Sequence, residues 1–166
     1  MSSAEPSICI GCGLCCDGTL HGRATVRPED EATVTAVGLE IGEEGGKRFF
    51  RQPCPHFSCG SCSIYDRRPA VCRSYRCALL KNVESGIIGR VEASAKIAEA
   101  KQHISAVRRI EASAVTPADR TALVRQLKAK LVETDDESRP SVAQALLDIG
   151  VLDHFLDRWF LRKDED

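Results

Sequence analysis

The stretch Cys9-Ile10-Gly11-Cys12-Gly13-Leu14-Cys15-Cys16 decides how the chain is read, because it places four thiols in eight residues. A second thiol-dense stretch follows it, Cys54-Pro55-His56-Phe57-Ser58-Cys59-Gly60-Ser61-Cys62, then Cys72-Arg73-Ser74-Tyr75-Arg76-Cys77. All nine cysteines of the 166-residue chain lie before residue 78. Local propensity does not order the Cys-, Pro-, Gly- and Ser-rich run from Arg51 to Cys77, so a cross-link has to supply folding energy there. Two observations favour a metal over disulfides. The odd cysteine count leaves a closed disulfide framework incomplete. Met1 to Ile8 hold neither a basic n-region nor an apolar h-region, so a cytoplasmic, reducing location is expected.

The first block has the chemistry for that role. Thiolates at C-x2-C spacing face one metal because the loop between them turns back on itself. A third cysteine at the same step extends this to a ferredoxin-type C-x2-C-x2-C run. Gly11 and Gly13 flank Cys12 and suit a tight loop whose amides approach sulfur. Cys15 and Cys16 are adjacent, and neighbouring side chains tend to diverge, so one is expected to serve a different site or a bridging position. A thiolate-rich centre is anionic and costly to bury alone. Arg67, Arg68, Arg73, Arg76 and Lys81, with no acid among residues 67–81, can supply the compensating charge.

Net charge is −1, which gives no reason to expect nucleic acid or an anionic membrane as partner. No run of 18 apolar residues is present, so no membrane-spanning helix is expected. Gly-rich phosphate loops and Gly-x-Ser-x-Gly elbows are absent, which argues against ATPase, nicotinamide-oxidoreductase and serine-hydrolase chemistry.

Beyond the cysteines the pattern is helical. Pro28, with Glu29, Asp30 and Glu31 in a first turn, predicts a short helix ending at Gly38, with Val34 and Val37 inward. Glu43-Glu44-Gly45-Gly46 reads as a turn, and Phe49-Phe50 as packing against the cysteine core. Residues 89–114 read as a helix with Val91, Ala95, Ala98, Ile104, Val107 and Ile110 inward. Thr116-Pro117-Ala118-Asp119 is a helix start for a segment reaching Glu133, with Leu123, Leu127 and Leu131 on one face. Pro140 opens a last helix or helix pair, with Gly150 as a candidate break and Leu152, Phe155, Leu156, Trp159 and Phe160 on its apolar face. That face is expected to bury within the monomer, to cover the cysteine region or to pair two subunits. The fold class expected is mainly α around an irregular, Cys-rich, metal-organised core, with a small α+β element in 50–77 and C-terminal helices. The division expected is a metal-binding region at 1–82 and a helical extension packing on it at 83–166.

The motif Cys9-x2-Cys12-Gly-x-Cys15-Cys16, Cys54, then Cys62-Ser-Ile-Tyr65-Asp-Arg-Arg68-Pro69-Ala-Val-Cys72-Arg73-x-Tyr75-x-Cys77 resembles the YkgJ-type cysteine-cluster family over about residues 8–80. The resemblance implies a zinc- or iron-chelating domain with Cys9, Cys12, Cys15, Cys16, Cys54, Cys62, Cys72 and Cys77 as ligands. Cys59 departs from the family pattern, and His56 is an alternative ligand. A flagellin lysine N-methylase with a similar cysteine domain is associated with a [4Fe–4S] cluster, which tilts the expected cofactor to iron–sulfur with zinc as the alternative. Three functions follow: a redox, sensing or accessory protein for a client enzyme, a methylase-like enzyme acting on protein side chains, or a structural zinc module. A protein partner and a homodimer through the C-terminal helices are the associations expected.

Overall fold

The computed structural model describes residues 7–161, and the chain falls into two compact units, Met1–Arg76 and Cys77–Asp166. The first unit has only short elements. They are β1 (Arg23–Thr25), a 3-10 turn (Pro28–Asp30), α1 (Glu31–Ala36), β2 (Gly42–Glu44) and β3 (Lys47–Arg51). After them come β4 (Phe57–Ser58), β5 (Ser61–Cys62), a second 3-10 turn (Tyr65–Arg67) and α2 (Ala70–Ser74).

Pro28 opens the first helical segment as its sequence predicts, and Gly38 closes it at φ +78°, a conformation that glycine adopts without a Cβ penalty. β1, β3 and β2 form an antiparallel sheet in that order, with Ala24 opposite Phe50 and Glu43 opposite Arg48. Most of this sheet lies ahead of the 50–77 window in which a small α+β element was expected, with β3 reaching into it at Phe50 and Arg51. Its signal is hidden because Phe49 and Phe50 are both buried, which breaks the alternation that marks a half-buried strand. Phe50 joins Val26, Val34 and Leu39 in an apolar cluster, whereas Phe49 lies beneath the guanidinium groups of Arg23 and Arg51. Cys54, Val71 and Cys72 pack on the Phe50 cluster, so that phenylalanine does meet the cysteine region. The β4–β5 hairpin is the small element expected in 50–77.

The second unit is helical: α3 (Ala78–Glu84), α4 (Arg90–Ile110), α5 (Pro117–Glu133), α6 (Arg139–Leu156) and a π-helical turn (Asp157–Leu161). α6 packs against both α4 and α5, and α3 against the π turn. Thr116 and Asp119 form a capping box, each side chain bonding the other's backbone N–H. On α4 the buried series is Ala93, Ile97, Ala100, Ile104 and Val107. Val91, Ala95 and Ala98 are exposed, which corrects the inward face expected for the first half of this helix. The observed series keeps a strict four-three step, and its two alanines leave room for a neighbouring helix. α6 runs unbroken through Gly150, so the expected break is absent; the helix is anchored by Ile149 and Leu152 on either side, both 1% exposed. Its aromatic face is buried within this unit, with Phe155 against His103, Trp159 and Phe160. Arg120 is a polar intrusion into this core, 3% exposed, donating to Asp153 at 2.7 Å and to the Val115 carbonyl at 2.8 Å. Among the described residues no helix is long and apolar enough to cross a membrane.

Candidate metal centre

The first cysteine block is a succession of tight turns. Cys12 N–H bonds the Cys9 carbonyl at 3.2 Å, and the N–H groups of Cys16 and Asp17 both bond the Gly13 carbonyl at 2.8 Å. Gly11 and Gly13 hold φ of +83° and +76°. Leu14, 1% exposed, pins the middle of the loop inward.

Two contacts fasten the second block to the first. Cys54 N–H donates to the Cys16 carbonyl at 2.8 Å. The Phe57 ring lies over Gly13, so close that a Cβ there would stand 2.0 Å from a ring carbon. Phe57 is also the first residue of β4 and pairs with Cys62 across the hairpin, so this one ring aligns the Cys62 strand with the Cys12–Cys15 loop. The sequence marks Gly13 as part of a tight loop, whereas the Phe57 ring that it makes room for leaves no local signal.

The eight cysteines of the motif are partly buried, Cys59 is exposed, and none of the nine forms a disulfide. Cys15 and Cys16 Sγ atoms lie 4.0 Å apart in an S–H···S contact. The turn at Gly13 curls the backbone through both residues, so the divergence expected of neighbouring side chains is not seen. The pair retains one proton and gives up the other readily. The hydrogen bond from Cys16 brings Cys15 down to about 7, and the same bond, with burial, drives Cys16 far up. Cys16 also feels the charges of Cys72 and Cys62. Burial pushes Cys72 up to about 12, helped by Cys54, Cys15 and Cys62 and opposed by Arg68. Burial likewise raises Cys54, with Cys62 adding to it. Cys15, Cys16, Cys54, Cys62 and Cys72 are therefore within electrostatic reach of one another.

Cys9 and Cys12 stand on the turns leading into this set. Cys77 is the first residue of the second unit and occupies the N-cap of α3. Cys59 sits on the β4–β5 turn at φ +49°. His56 bonds the Val37 carbonyl through Nε2 at 2.6 Å, which leaves only Nδ1 for any metal. The Tyr75 hydroxyl lies 2.7 Å from His21 Nε2, with the rings edge to face. Burial lowers the His21 pKa. Arg68 donates to the Tyr65 carbonyl at 2.7 Å and stacks 3.5 Å above the Tyr65 ring, which holds its charge on the Cys72 side.

Among the described residues no three Cys, His, Asp or Glu side chains stand ready to hold a metal ion without adjustment. The donor chemistry nonetheless fits one. The five groups are all thiols and partly buried, and a cation beside them would offset the burial that raises Cys54 and Cys72 and the lesser repulsion among them.

Thiols gathered on glycine-hinged turns beside a fixed arginine define a cysteine-based chelating domain. A family model, "CxxCxxCC: Putative zinc- or iron-chelating domain", matches residues 8–109, and the chain belongs to that family. The match extends through α3 and nearly all of α4, well past the point near residue 80 where the motif resemblance stops. No curated protein and no solved structure matches the chain.

Proposed function

We propose that the chain is an iron–sulfur protein acting as a redox, sensing or accessory partner of a client enzyme, with Cys9, Cys12, Cys15, Cys16, Cys54, Cys62, Cys72 and Cys77 as the ligand set. The observation that carries this reading is the fastening of the two cysteine blocks to each other: Cys54 N–H bonds the Cys16 carbonyl at 2.8 Å beside the Cys15–Cys16 pair, and the partly buried side chains of the motif are all thiols. Bound there, a cluster would supply one-electron transfer at a potential tuned by burial, charge and hydrogen bonds. The chain's own contribution is to hold the thiols on turns, to keep them partly dry, and to place the Arg68 guanidinium beside Cys72.

Zinc is the second reading, favoured by the 4.0 Å between the Cys15 and Cys16 sulfurs. Tetrahedral zinc with bonds of about 2.3 Å separates its sulfurs by roughly 3.8 Å. Purification without oxygen, followed by iron, sulfide and zinc analysis, tests the two. Iron and sulfide together with a visible absorption band are the expected result. A colourless protein with stoichiometric zinc and no sulfide would end the iron–sulfur version.

A further inference from the structure

Asp30 is 3% exposed, and its carboxylate accepts from two backbone groups forty residues away. Oδ1 lies 2.9 Å from Ala70 N and Oδ2 lies 3.0 Å from Val71 N. These are first-turn amides of α2, which have no partner within the helix. The next residue in that turn is Cys72, whose own N–H bonds the Pro69 carbonyl at 3.0 Å.

The other end of the link is equally fixed. Asp30 closes the Pro28–Asp30 turn by donating its N–H to Arg27 at 2.9 Å, and leads directly into α1. Val34 of α1 belongs to the apolar cluster on which both Cys54 and Cys72 pack. Besides the Asp30 bonds, α2 rests on that cluster through Val71 and Cys72 and lies against β1, and apolar contact leaves rotation about the helix axis poorly fixed. Two charge-assisted bonds to successive amides do fix it.

We propose that Asp30 is a positioning residue of the thiol centre: it sets the rotation of the Ala70–Ser74 turn so that the Cys72 sulfur faces Cys15, Cys16, Cys54 and Cys62. The inference rests on the metal-centre reading for its purpose but not for its geometry. An aspartate is required rather than an asparagine, because two N–H donors need two acceptor oxygens and the asparagine NH2 would meet an N–H.

The test uses the full chain, metal-free and as purified without oxygen, with iodoacetamide alkylation timed at each cysteine by mass spectrometry. In metal-free Asp30→Asn, Cys72 alkylates about tenfold faster than in the parent, while the other thiols stay within about twofold. In the metal-loaded variant Cys72 loses protection first. Amide exchange at Ala70 and Val71, slow in the parent and fast in Asp30→Asn, reads the anchor directly and needs no metal. An unchanged Cys72 rate overturns the proposal, and so does acceleration of all thiols together, which would mark general loosening. If the parent takes up no metal, the metal reading fails, and the Cys72 rate ratio in metal-free protein still decides the role of Asp30.

Discussion

The two units of this chain are stabilised by different means. The second is built on three helices, α4, α5 and α6, of 17 to 21 residues whose apolar stripes interlock, and Cys77 is its single cysteine. The first has elements of two to six residues, buried apolar side chains drawn from turns and short strands such as Leu14, Val34 and Phe50, and the remaining eight cysteines. A region built of such short elements usually needs staples of another kind, and here the staples on offer are thiols. The contrast teaches that long apolar stripes organise one half, while tight turns and short strands carrying thiols organise the other.

The sharpest way to break the contrast is to remove the proposed metal. Chelation under reducing conditions is expected to cost the first unit at least about tenfold in amide-exchange protection across residues 7–76, leaving α4, α5 and α6 unchanged. Equal loss in both halves would erase the distinction. Next in size is Gly13→Ala. It forces a methyl into the Phe57 ring and puts a side chain at φ +76°, for about 3 kcal/mol in the first unit. Urea unfolding followed by exchange checks it, and a second substitution, Phe57→Ala, should recover part of the loss. Arg120→Met acts on the other half alone. It leaves Asp153 unpaired, and because Asp153 is half-exposed the expected cost is about 2 kcal/mol, seen as a lower helical melting temperature with unaltered metal content.

The smallest effect is in pH. Burial holds the His21 pKa below 6.5, so the folded unit binds that proton less readily than the unfolded chain does. Its contribution is complete above about pH 6.5 and is lost as the pH falls through the lower folded value. His21→Gln should flatten that part of the stability profile of the first unit and leave the second unaffected.

How legible each half was follows from the same contrast. Thr116 and Asp119 announce the start of α5, and the stripe Leu123, Leu127 is written at helical spacing, so the sequence specifies that helix almost alone. α4 was harder, because alanines stand on both of its faces and packing against α6 and α3 decides between them. In the first unit the cysteine spacing points to the thiols but not to what brings them together. The Phe57–Gly13 contact spans forty-four residues, and Asp30 reaches amides forty residues on. Neither leaves a local pattern. The sequence made Asp30 look like an ordinary acidic first turn, and only its burial shows that both oxygens are taken.

The π turn at Asp157–Leu161 has a consequence for how the chain tolerates length changes. Phe155 and Phe160 are five residues apart, a spacing that an α-helix would send to different sides, yet both are buried, with ring centroids 6.4 Å apart. The widened turn absorbs one surplus residue as a local bulge. Deleting Arg158, an exposed residue, would bring the two rings to a spacing of four and restore an ordinary helix over the same core. The Asp157–Leu161 turn is thus a place where the backbone can lose one residue and keep Phe155 and Phe160 on the same core.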